Sequence, residues 1–170
     1  MSELRTNRII PRDGLTSGTG IGGGIIQIKQ TIKKDQFTST QNVASGYTDL
    51  TGLSVAITPT RSDSKVLVRA VIYNSIADNN VIYFRLLRGS TQIGGATSTA
   101  HQSGFTNVYT NNEYIMSASH NFLDSPSTTS ATTYKLQWRV ASGTGYLGQW
   151  KDSATNYNGS STITAMEVSA

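Results

Sequence analysis

The chain has 170 residues, of which 36% are hydrophobic and 14% charged, with 14 Tyr, Phe and Trp in total and no Cys. That length supports one core-bearing domain with an appendage rather than two domains, and the aromatic content argues against a disordered chain. Without cysteine, disulfides and thiolate metal sites are excluded, and a Thr-, Ser-, Tyr- and Gly-rich composition favours strands over helices.

Residues 1–24 read as an extended arm. The formal net charge is +4. Residues 1–34 hold six bases (Arg5, Arg8, Arg12, Lys29, Lys33, Lys34) and two acids (Glu3, Asp13), so all of it lies there and the remainder is neutral. Arg5, Arg8 and Arg12, with Ile9 and Ile10 between them, suit docking on an acidic partner surface, because charge complementarity steers association and fixes register. They are too few and too scattered to track a phosphate backbone, so nucleic acid is not expected. The opening MSELRTNRIIPRDG lacks the apolar core of a secretory signal, which implies synthesis in the cytoplasm. No apolar run approaches the roughly 18 residues of a membrane-spanning helix, and no membrane insertion is expected.

Pro11 and Asp13-Gly14 punctuate the arm, and SGTGIGGG (17–24) reads as a hinge through Gly18, Gly20, Gly22, Gly23 and Gly24. The stretch formally matches the Gly-x-Gly-x-x-Gly dinucleotide fingerprint. No strand precedes it and no helix follows, so the match is discarded.

From Ile25 the pattern turns to period two. IIQIKQTI sets Ile26, Ile28 and Ile32 on one face with Gln30 among them. Similar alternation recurs at Leu53, Val55, Ile57; at Val66, Val68, Ala70, Ile72; and at Ile82, Phe84, Leu86. It returns at Tyr114, Met116, Ala118, His120, Phe122, at Tyr134, Leu136, Trp138, Val140, and at Thr164, Met166, Val168. Reversals are expected at Thr51-Gly52, Pro59, Ser62-Asp63-Ser64, Asp78-Asn79-Asn80, Arg88-Gly89-Ser90 and Asp124-Ser125-Pro126. LLRGSTQIGG predicts a hairpin with a return strand over Thr91–Ile93. About eight strands spaced in this way predict an all-β fold, a single β-sandwich or jelly roll over 25–170. Two polar stretches, about Thr97–Asn112 and Ser142–Ser161, read as long loops of the functional or subunit-contact kind.

Catalysis requires convergent titratable groups, and the sequence is poor in them. His120 falls in phase with an apolar strand face, as a core or interface histidine does, and His101 lies in a polar loop. No nucleophile elbow or metalloprotease helix is present. No catalytic residue, metal site or cofactor is expected. The loop aromatics Phe105, Tyr109, Tyr146, Trp150 and Tyr157 have two readings. They cap the sandwich or pack between subunits, or they form a glycan or receptor surface, since Tyr and Trp supply contact area at low entropic cost.

The phrases SELRTNRIIPRDG and GGGIIQIKQT resemble the opening of small virion proteins of tailed bacteriophages, the marine and cyanobacterial kind in particular. YTDLTGLSVAITPTRSDSKVLVRAVI, FRLLRGSTQIGG, FLDSPSTTSATTYKLQWRV and STITAMEVSA resemble a recurring pattern of predicted tail-fibre proteins. Such heads are similar to the trimeric jelly rolls of the tumour necrosis factor and complement type. The resemblance implies a homotrimer in the virion, with the arm bound to another virion protein and the head displayed to a host glycan. The alternatives are a capsid decoration protein that cements the shell and a lectin-like adhesion module. The chain departs from a complete tail fibre in having no long shaft.

Overall fold

The computed structural model describes residues 24–40, 46–76, 80–96, 104–110, 114–151 and 158–169. Eleven strands occur among them and no helix. They are β1 (Ile25–Lys33), β2 (Phe37–Ser39), β3 (Thr48–Ile57), β4 (Lys65–Ile76), β5 (Asn80–Arg88), β6 (Thr91–Ile93), β7 (Thr106–Thr110), β8 (Met116–Asp124), β9 (Thr132–Val140), β10 (Gly145–Leu147) and β11 (Ser161–Val168). Every pairing is antiparallel.

Two sheets form. In the first, β4 is the spine: β8 pairs along one side, while β11 and then β10 pair along the other. Outside these lie β1, on β11, and β2, on β10. In the second sheet the order runs β3, β9, β5, and then β7 and β6 share the far side of β5. Each sheet is thus four strands wide, and the chain crosses between sheets at most connections. This is a jelly roll, the all-β sandwich expected from the alternation.

The core forms where the two inner faces meet. Val66, Val68, Ala70 and Ile72 of β4, with Ile163 and Ala165 of β11, oppose Ile82, Phe84 and Leu86 of β5 and Tyr134, Leu136 and Trp138 of β9. Each fully buried aliphatic or Phe side chain contributes about 1.5–3 kcal/mol. Trp138 is the hub: Phe37 lies 5.6 Å and Phe84 6.5 Å from it, centroid to centroid.

Two expectations from the sequence are corrected. Thr51-Gly52 is not a reversal but part of a bulge inside β3, where Asp49 pairs with Gln137 and Ser54 with Lys135. The extra residues reset the alternation, so that Leu50 and Leu53 are both buried, and Gly52 takes φ 85° to make the bend. The two long polar stretches are not wholly loop, because β7 and β10 lie within them. Ile28, Gln30 and Ile32 of β1 share a face, as the alternation has it, and that face is turned outward: Ile26 is 44%, Ile28 57% and Ile32 49% exposed. The hairpin is as expected, with Arg88 opposite Thr91 across Gly89-Ser90.

Candidate functional site

The outer face of the second sheet carries the richest side-chain chemistry among the described residues. With Phe84, Leu136 and Trp138 directed into the core, the alternate residues Tyr83, Arg85, Lys135, Gln137 and Arg139 point outward. Register brings Arg139 opposite Tyr83, and Gln137 opposite both Arg85 and Asp49. A hydrogen-bonded row results. Arg85 Nε donates to Gln137 Oε1 at 2.7 Å, and Gln137 Nε2 donates to Asp49 Oδ1 at 2.5 Å. Lys135 Nζ donates to Asp49 Oδ2 at 2.9 Å. The hydrogen bonds from Lys135 and Gln137 hold the Asp49 carboxyl below its ordinary value.

Aromatic rings flank the cations. The Arg85 guanidinium sits 4.1 Å from the Tyr47 ring centre, and that of Arg139 sits 5.2 Å from Tyr47 and 4.7 Å from Tyr83. Arg139 is only 2% exposed, and its Nε and Nη2 have no hydrogen-bond partner. Contact with the faces of two tyrosines offsets part of the cost of that buried charge. Burial lowers the Arg85 pKa and raises that of Tyr47. Tyr109 stands 59% exposed on the same face, opposite Val81. This surface offers phenol rings for stacking beside amide, carboxylate and guanidinium groups for hydrogen bonding.

The remaining titratable clusters are structural. His120 is stacked between Phe105 (4.4 Å, 10°) and Phe122 (6.4 Å, 8°), and its Nε2 is buried without a partner. Burial lowers its pKa, against a smaller opposing effect from a backbone hydrogen bond at Gly94. Asp124 accepts from Arg88 Nη1 at 2.9 Å and from the Tyr134 hydroxyl at 2.7 Å, which ties β8 to the second sheet. Glu167 is fully buried and accepts from Gln27 Nε2, from the Thr60 backbone N–H and from the Thr60 hydroxyl, each at 2.7 Å. Burial pushes its pKa up, but these hydrogen bonds outweigh it and hold the carboxyl at about 2. Among the described residues no group of three His, Asp or Glu side chains is placed to hold a metal ion.

The four loop aromatics among the described residues are not gathered into one site. Phe105 packs against the core and stacks on Phe84 at 6.4 Å, so it faces inward rather than toward a ligand. Tyr109 lies on the outer face of the second sheet. Tyr146 lies in the first sheet, between Thr38 and Ser75, and Trp150 is half-buried beyond β10. Tyr157 lies outside the described residues, as do Arg5, Arg8, Ile9, Ile10, Arg12 and hinge positions Gly18, Gly20, Gly22 and Gly23. Gly24 is described, and it is tied to the body: its carbonyl accepts from the Ser169 N–H at 2.9 Å. Sequence reasoning missed Tyr47, Arg85, Gln137 and Arg139. The polar half of the Tyr134–Val140 alternation was the available signal.

No protein-family model matches the chain. No curated protein matches it either. Solved structures do. A chain of the T13 viral particle of IBDV matches with TM-score 0.51 and 14% identity, covering 94% of this chain and 41% of that one. A chain of T=1 particles derived from infectious bursal virus matches with TM-score 0.47 and 14% identity, covering 95% of this chain and 41% of that one. This chain therefore spans about two fifths of each of those chains, and the first likeness establishes what they share: the described jelly roll is a fold also found in a viral-particle protein.

Proposed function

We propose that this protein is a non-enzymatic structural component of a virion, and that it works as the head of a short tail fibre or spike of a tailed bacteriophage. The observation that carries the reading is the jelly roll, which over 94% of the chain resembles that of an IBDV viral-particle chain. The phrase-level resemblance to phage tail-fibre proteins supplies the finer role. In this reading the head is a homotrimer, residues 1–24 anchor it to another virion protein, and the head binds a host surface glycan. The outer face with Tyr47, Arg85, Gln137 and Tyr109 suits a sugar, because rings stack on its apolar face while amide and guanidinium groups meet its hydroxyls.

A second reading is a capsid decoration protein in which the arm and head grip the shell. The likeness to a chain of an icosahedral viral particle favours it. Immunogold labelling of intact virions, with an adsorption assay, separates the two. A fibre head is expected to label the tail, and the purified protein is expected to block adsorption to host cells. Label over the shell with unaltered adsorption supports decoration, and absence from purified virions overturns both.

A further inference from the structure

We infer that the outer face of the first sheet is where copies of this chain pack on one another in a closed ring. The inference deepens the virion reading and rests on it for the expectation of a homotrimer.

Antiparallel register lines up the outward side chains of β1, β11, β4 and β8 in rows. One row runs Ile28, Met166, Leu67, Leu123, apolar across all four strands. The next runs Gln30, Thr164, Arg69, Asn121, and beyond it the row Ile32, Thr162, Val71, Ser119 alternates apolar and polar. Ile28 is 57%, Leu123 49% and Ile32 49% exposed. Solvated sheet faces are ordinarily polar, as the opposite outer face is. β1 does the reverse: it turns Gln27, Lys29, Thr31 and Lys33 toward the sandwich side, opposite the inward residues of β11, and its isoleucines outward.

Four strands and these three side-chain rows cover roughly 400 Å² at ordinary sheet spacings. That is about half of the ~800 Å² per partner in a standard interface, and the apolar row through Ile28 and Leu123 runs across its whole width. The outer edge of β1 supplies the rest. It is a nine-residue edge with no strand partner among the described residues, and its unpaired backbone groups are open to another copy.

Charge selects the occupant and the symmetry. An acidic partner would require more than the single cation at the centre of the face, and an anionic lipid surface is ordinarily met by a cluster of cations that these three rows lack. Gln30 and Asn121 each donate and accept, so they match a polar row on another copy. Face-to-face packing on a twofold axis would oppose two Arg69 guanidinium groups at the centre. A heterologous contact, the face of one copy on the β1 edge of the next, avoids this, and such contacts form a ring where the rotation between copies closes.

The test is sedimentation of the purified full chain with the double variant Ile28→Lys/Leu123→Lys, and with Thr133→Lys on the opposite sheet as control. Wild type and control are expected at about three times the 18.3 kDa subunit mass. The double variant is expected at one subunit mass, with a strand-type circular dichroism spectrum and cooperative urea unfolding, since both side chains are already half exposed. A trimeric double variant overturns the assignment of the face, and a wild-type dimer overturns the ring. A monomeric wild type overturns both, and its co-pelleting with anionic vesicles would give the face to a lipid surface. A trimer that dissociates as expected but is absent from virions refutes the virion reading and leaves the interface standing.

Discussion

His120 and Glu167 both make the fold less stable in acid. His120 has a folded pKa below its ordinary 6.5, because burial among Phe105, Phe122 and Gly94 disfavours the imidazolium. Between the folded and unfolded values the unfolded chain binds more protons, so stability is complete above about pH 6.5 and declines as the pH falls through that window. Glu167 follows the same sign lower down, with a folded value of about 2 against an ordinary 4.5. Its contribution is present above pH 4.5 and is lost as the pH falls toward 2. The urea midpoint of the monomerised protein is expected to be level above neutrality and to begin falling as the pH drops below about 6.5. His120→Gln should delay the onset of that fall to about pH 4.5, where Glu167 begins to lose its contribution. A midpoint that stays level from pH 7.5 to pH 5 would refute this account of His120.

At the scale of elements, the bulge in β3 is the device that lets one strand place two leucines inward. Gly52 at φ 85° is its pivot, and its side-chain position faces Lys33 Nζ at 3.4 Å, where β1 approaches β3. Gly52→Ala meets little steric obstruction but forces an L-residue into left-handed geometry, at a cost of about 1–2 kcal/mol. Urea unfolding is expected to report that loss, and an unchanged midpoint would mean that β3 can reach its register without the bend. The same residue shows what local signals convey. Thr51-Gly52 announces a positive φ, and a reversal and a bulge share that need, so the sequence does not separate them. The β5–β6 hairpin was legible because its two-residue turn contains its own instructions. Alternation also located β4, β5 and β9, but period two does not say which face is inside, and so the isoleucines of β1 gave no sign of facing outward. The polar half of the β9 alternation was visible, but the assembly of the row was illegible for another reason. Arg85 lies 52 residues from Gln137, and Gln137 lies 88 from Asp49, so only the strand order brings them together.

For the molecule as a whole, the two sheets present different outer faces. One carries an apolar row across four strands, and the other is polar and aromatic. If the first packs copies together and the second meets a ligand, as proposed, assembly and recognition do not compete for one surface. A single hydrogen bond, from Ser169 to Gly24, has a further consequence. The sandwich is entered and left at one corner, by the adjacent ends of β1 and β11. The order in which the strands are threaded is then separable from their arrangement. A circular permutant that joins residue 169 to residue 24 through a short glycine linker, and opens the chain between Ser62 and Asp63 in an exposed turn, is expected to refold to the same sandwich. Matching circular dichroism and a cooperative melt would show it; a permutant that stays unfolded would show that β1 must be laid down first.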